Sequence, residues 1–597
     1  MKTFGKNIPL IAVVVIAMAM LLPFLWQNDF FSMDEPREAL VAVSILKDGN
    51  LILPFTSGGD LTACPPLYHL CVALLSLPCG HVSEFSSRLP AALSLIVMCA
   101  VVFAFMRKRT TTLRAMLAPL IMLTAYGLHR DALTCNPGIM ATAFATGAML
   151  LLYRWHENGD RRLPLAATLC MALTGLTTGP LMVLLPPVVM HVYLLVRGEG
   201  SKSVAAKLAS CTVIALVVPA LWYVAAFMQT GGRFGELFMA YHYGSLKGIT
   251  TQNLFDHNFI GNLAYAATGF APWLIFIVFT LFARPWRSAG IVPTFRALAQ
   301  YMRTASPLTA FTFTATLTLL VLSWLPTGNH DISLLCCHVF LSMFTALYIA
   351  WLSRRHNRRA VEAFAVFTAL MGILFSVAFQ VLQSGVFSGI FFGEHKANAR
   401  MSMIKSLYDI TPDATESTLM LIPAIIGVLL AVVLCFRRLR HNVRTLTLGT
   451  LCVMFSVYIA LDAVCRPTML NIVSLRQMTD VVNKIFPNQK LYSYISKPGM
   501  HFFGAEYYLC KPIESFENPA PDSLGRVSKP SSGVLLVPEK DGDQFIARHK
   551  DYVFMRRMRS LGHPTEVRDR IRFYKFMRIT KQNSAQKIYD SMSIKLQ

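Results

Sequence analysis

The chain has 597 residues, of which 54% are hydrophobic and only 15% charged, and its mean hydropathy is +0.49. No soluble fold of this length needs so much apolar surface, so the composition implies a polytopic membrane protein. A formal net charge of +23 raises nucleic acid as a partner, but much of it sits in short loops where membrane topology accounts for it, and no nucleic-acid partner is expected.

The first apolar run, Ile8 to Trp26, is long enough to cross a bilayer and follows Lys2 and Lys6. No small-residue cleavage site follows it, so it reads as a retained anchor. Directly after it comes the polar cluster Met33-Asp34-Glu35-Pro36-Arg37-Glu38. Further apolar runs occupy 89–106, 115–128, 139–153, 163–177, 180–196, 208–228, 262–283, 307–325, 333–352, 360–381, 417–436 and 445–464. The expected fold class is therefore a polytopic α-helical membrane protein of about thirteen transmembrane helices.

Basic residues fall in every second loop, as in Arg107-Lys108-Arg109, Arg161-Arg162, Arg354-Arg355 and Arg437-Arg438. The positive-inside rule makes these loops cytoplasmic, with the amino terminus inside and the tail outside. The longer loops, 27–88, 229–261 and 382–416, then lie with the tail on the outer side, and function faces outward. No P-loop and no GxGxxG after a strand is present to hold a nucleotide, so an enzyme of this layout takes its activated substrate from the membrane.

Two domains are expected, 1–464 in the membrane and 465–597 as a small soluble α/β domain. In the tail Leu475, Met478, Val481, Val482 and Ile485 recur at helical spacing. Short strands are expected at 490–496, 505–509, 533–537, 552–555 and 572–576, with a loop over 518–533. The tail carries no catalytic spacing, and its expected role is to cover or gate the membrane site. The thirteen cysteines form no zinc signature, so no structural metal cluster is expected.

The chain resembles the membrane glycosyltransferases of the GT-C type, specifically the bacterial aminoarabinose (lipid A) transferase and protein O-mannosyltransferase-like group. The resemblance covers nearly the whole chain. It is carried by Asp34-Glu35-Pro36-Arg37-Glu38-Ala39, by Leu46-Lys47-Asp48-Gly49-Asn50 with Leu53-Pro54, by Pro65-Pro66-Leu67-Tyr68, by Ser87-Arg88-Leu89-Pro90, by Thr177-Thr178-Gly179-Pro180 and by Pro272-Trp273. It implies an acidic pair at the end of the first span that contributes to the active site, an outer loop forming helices along the membrane, and a polyprenyl-phosphate-linked sugar as donor. The acceptor is then a lipid A, a glycan or a protein at the outer face of a bacterial inner membrane. No cofactor is assigned, and the chemistry leaves room for a divalent metal.

Sugar transfer from a lipid phosphate to a hydroxyl calls for a carboxylate near the acceptor and cations around the leaving phosphate. Asp34 suits the role of base, with Glu35 as its hydrogen-bonding support and Arg37 as a counter-ion. A solvated acidic turn outside a membrane span is the plainer reading of the same residues. The cationic half departs from the family. Glu-Lys-Pro-Pro is here Ala63-Cys64-Pro65-Pro66, and Thr-Lys-Gly-Pro is Thr177-Thr178-Gly179-Pro180. The family's second aspartate aligns with Gly138, and its outer basic pair with Asn329-His330. Arg88, His129, Arg130, Lys247, His257 and His330 are expected on the outer side as replacement cations, and Asp131 as a stand-in carboxylate. Arginine binds phosphate bidentately, which makes a relocated site physically sound. Two readings stay open: a transferase, and a catalytically silent relative that binds a polyprenyl lipid or a partner enzyme.

Overall fold

A computed structural model describes residues 4–32, 34–52, 64–159, 162–230, 234–236, 238–239, 258–283, 300, 302–324, 330–354, 359–384, 399–440, 442–496, 501–517, 529–560 and 570–579. Lys247 and His257 lie outside the described residues. His330 opens the helix His330–Arg354, and its side chain is likewise outside them.

All of the predicted apolar runs fall on helices. Eight helices among the described residues are long and apolar enough to cross a membrane, from Asn7–Phe24 to Val443–Asn471. A ninth span arises if the pair Leu263–Gly269 and Trp273–Thr280, bent by 103°, is one unit. Other predicted runs correspond to shorter apolar helices, Thr112–Leu123, Leu165–Thr178 and Pro307–Leu322, or to the longer Pro137–Glu157. The protein is a multi-pass membrane protein.

Six helices position the site: α1 (Phe4–Leu21), α2 (Asp34–Asp48), α3 (Leu67–Ser76), α4 (Glu84–Arg107), α5 (Thr112–Leu123) and α6 (Tyr126–Ala132). Helix α2 opens on Asp34 and Glu35 and carries Lys47 in its last turn, charges that complement the helix dipole. Its buried face holds Glu35 and Glu38 beside Ala39, Ala42 and Ile45. Two buried carboxylates on one face require partners, and these come from α3 and α4.

The last apolar helix does not stop at the expected domain boundary. Val443–Ala460 passes through a π-helical segment, Leu461–Cys465, into Arg466–Asn471. Beyond it the tail forms a five-stranded sheet with β1 (Leu491–Ser493), β2 (Ile513–Ser515), β3 (Ser532–Pro538), β4 (Tyr552–Arg559) and β5 (Ile571–Arg578) in the order β2-β1-β3-β5-β4. β1 runs parallel to β2 and β3, whereas β5 is antiparallel to β3 and β4. Side-chain alternation sends Val534 and Leu536 into one apolar cluster with Phe573, and Leu535 and Val537 into another with Phe545 and Phe576. The expected helix near 475–485 is Arg476–Ile485. The segment expected as a strand at 505–509 is instead the helix Phe503–Leu509. Its aromatic content resembles a strand, but tertiary contacts decide: the Tyr507 hydroxyl donates to the Val82 carbonyl at 2.7 Å, and the Phe30 amide donates to the Tyr508 hydroxyl at 2.8 Å. Arg476 pairs with Asp29 and Glu84 at 2.9 and 3.2 Å. The tail is thus fastened to the α1–α2 connection and the start of α4.

Candidate functional site

The acidic cluster of α2 splits into an exposed and a buried part. The Asp34 side chain is 74% exposed and pairs with Arg37 at 3.3 Å, while Arg37 also reaches Glu38 at 3.0 Å. Glu35 is buried against Arg88 of α4. The Arg88 guanidinium donates from Nε and Nη2 to Glu35, from Nη1 to the carbonyls of Leu25 and Asn28, and from Nη2 to that of Asp29. Those five contacts use every N–H donor an arginine has. Glu35 also accepts from the Cys135 amide at 3.0 Å, which ties the start of α2 to the chain just after α6. Glu38 hydrogen-bonds to His69 at 2.6 Å inside the protein. Burial alone would raise the Glu38 carboxyl, but the His69 hydrogen bond and the charge of Arg37 outweigh it and hold it down at about 2.

A cavity of about 870 Å³ opens between α6, the bent helix pair and the last apolar helix. Phe31, Ile275, Phe367, Met371, Val453 and Val457 give it apolar walls. His129, Arg130, Asp462 and Arg466 line it as well; His129, Asp462 and Arg466 are linked to one another, and Arg130 is linked to Asp131 and Tyr265. Asp462 meets His129 at 2.6 Å and Arg466 at 3.1 Å. Arg130 donates from Nε to Asp131 at 2.6 Å and from Nη2 to the Tyr265 hydroxyl, with its guanidinium also over the Tyr126 ring. The Arg130 side chain remains 31% exposed, whereas Asp131 is buried beneath it.

The predicted site residues therefore separate. His129, Arg130 and Asp131 come together on α6 at this cavity, and Phe31 brings the chain before Asp34 to its edge. Asp34, Glu35, Arg37 and Arg88 are not among the residues lining it. Asp462 and Arg466 were missed by sequence reasoning. Their signal was nevertheless present, an acidic and a basic residue at i,i+4 in an otherwise apolar helix. Cys64, at one of the two positions where the family carries a lysine, donates from its thiol to the carbonyl of Thr177 at 3.5 Å; Thr177 precedes the other such position, Thr178, and all three are buried. Gly138 lies at the start of Pro137–Glu157, where its amide donates to the Asn136 side chain. Among the described residues no group of three His, Cys, Asp or Glu side chains is arranged to hold a metal ion.

Residues 64–223 match the sequence profile of the dolichyl-phosphate-mannose-protein mannosyltransferase family. No curated protein sequence matches the chain. Among solved structures, ArnT from Cupriavidus metallidurans in the apo state superposes with a TM-score of 0.66 at 16% identity, covering 96% of this chain and 98% of ArnT. The same protein bound to undecaprenyl phosphate gives a TM-score of 0.65 at 14% identity, over 94% and 97% of the two chains. An oligosaccharyltransferase from Archaeoglobus fulgidus reaches only 0.41 at 12% identity, over 85% of this chain and 65% of its own. The chain thus shares the fold of ArnT, and its residues 64–223 carry the pattern of the dolichyl-phosphate-mannose-protein mannosyltransferase family.

Proposed function

We propose that this chain is an integral-membrane glycosyltransferase that takes a sugar from a polyprenyl-phosphate-linked donor. The carrying observation is the cavity that joins apolar walls to Arg130 and Arg466. An isoprenoid chain needs such walls, and its phosphate needs cations in a low-dielectric setting. ArnT, whose fold this chain shares, is known in a form bound to undecaprenyl phosphate, which supports the same ligand class here. Arg130 and Arg466 then do the work of the missing lysines. Buried Glu35 and Arg88 hold α2 against α4, and Asp34 and Arg37 remain at the surface end of α2.

The acceptor belongs to the lipid A, glycan or protein class at the outer face of a bacterial inner membrane. The amino terminus is cytoplasmic and the tail periplasmic, as the alternation of basic loops implies. Mass spectrometry of envelope glycolipids and glycoproteins, with and without the gene product, tests this reading. A glycoform that disappears with the protein identifies the acceptor, and an unchanged profile contradicts the transferase reading. The silent-relative reading draws on one specific observation, the burial of uncharged Cys64 and Thr178 at the two positions where the family's lysines belong.

A further inference from the structure

The polar group in the cavity contains more than a phosphate clamp needs. His129 is almost completely buried, and its ring is held on two sides. Nε2 faces Asp462 Oδ2 at 2.6 Å, and the Tyr458 ring packs against it with centroids 4.5 Å apart. Asp462 is itself fixed by Arg466 at 3.1 Å. An ionised carboxylate only accepts, so Nε2 carries the hydrogen, and in the neutral ring Nδ1 carries a lone pair. Nδ1 is buried and has no partner among the described residues. A buried polar atom without a partner calls for an explanation, and here it belongs to a residue that lines a ligand-sized cavity.

We infer that His129, oriented by Asp462, is the general base that takes the proton of the acceptor hydroxyl, an inference that rests on the transferase reading. An imidazole whose far nitrogen is fixed by a carboxylate is a recurrent device for activating hydroxyl nucleophiles. The charge count favours it. Arg130 is matched by Asp131 and Arg466 by Asp462, so neutral His129 leaves the group balanced. In the transfer step the acceptor oxygen bonds to the anomeric carbon as its proton passes to His129 Nδ1. The bond from the anomeric carbon to the phosphate oxygen breaks, its electron pair goes to that oxygen, and polyprenyl phosphate leaves. The phosphate gains negative charge as the imidazole becomes positive, so the two changes stabilise one another. Successive helix residues point about 100° apart, so Arg130 and His129 address the cavity from different directions, as phosphate clamp and base must.

The test uses the full-length protein in lipid nanodiscs with envelope lipid as acceptor and a panel of undecaprenyl-phosphate-linked sugars, following release of undecaprenyl phosphate. His129→Ala is expected to lower turnover by about 10²–10⁴-fold while undecaprenyl phosphate still binds as in wild type. Added imidazole is expected to restore part of the rate, which a purely structural histidine would not allow. His129→Gln, which keeps a donor toward Asp462, should retain the fold and stay slow. An active wild type with an active His129→Ala variant overturns the base assignment and leaves the transferase reading standing. A wild type that releases no undecaprenyl phosphate from any donor overturns both.

Discussion

At the scale of single residues, the two glutamates of α2 are buried charges with different partners. Glu35 and Arg88 are buried together, and removing one partner leaves the other charged without compensation. Arg88→Ala is therefore expected to lower stability by about 3–5 kcal/mol. Replacing both by apolar residues of similar size should cost much less, and thermal unfolding of the purified protein distinguishes the two outcomes. Glu38 responds to pH. Its carboxyl drops from 4.5 to about 2 in the folded protein, so its contribution is complete above 4.5 and is lost as pH falls through about 2. By linkage this amounts to roughly 3 kcal/mol. His69 and Arg37 are the groups facing it, and Glu38→Gln should lose that stability at neutral pH and flatten the acid limb of the melting curve. Identical acid limbs in the two proteins would count against the assignment. Sequence reasoning saw that Asp34, Glu35 and Arg37 stand together, since they are neighbours in the chain. It had no access to Glu38 with His69 or Asp462 with His129, because those pairs bring distant segments together and depend on the packing of helices.

At the scale of elements, the bent helix pair shapes the cavity by close approach. A Cβ on Gly269 would lie 2.5 Å from His338 Cε1, and one on Gly127 of α6 would lie 3.2 Å from the Gly269 backbone. Gly269→Ala is thus expected to cost about 1–3 kcal/mol and to weaken lipid binding, because Thr268, Ala271 and Pro272 line the cavity. Unchanged melting and binding in Gly269→Ala would show that the pair has room to shift. Apolar periodicity was enough to locate the long helices, since a bilayer imposes length and composition. It did not reveal the break between Gly269 and Trp273 within the run 262–283, nor the helix Phe503–Leu509. In the second case a short aromatic segment is set by its docking on Phe30 and Val82, which local propensity does not contain.

At the scale of the whole molecule, the tail is anchored on the segment that connects α1 to α2 and on the start of α4, through Tyr508 and Phe30, Asn471 and Asp29, and Arg476 with Asp29 and Glu84. A reporter fused after Glu517, which is exposed, is expected to report a periplasmic location, and a cytoplasmic signal would contradict the alternation of basic loops. The central claim is that a polyprenyl phosphate occupies the cavity headed by Arg130 and Arg466. Its most direct measurement is the dissociation constant of undecaprenyl phosphate for the protein in nanodiscs, compared among wild type, Arg130→Ala and Arg466→Gln. Losing a charged hydrogen bond costs about 1.5–3 kcal/mol, so each variant is expected to bind roughly ten- to a hundredfold more weakly. Wild-type affinity in both variants would contradict the claim.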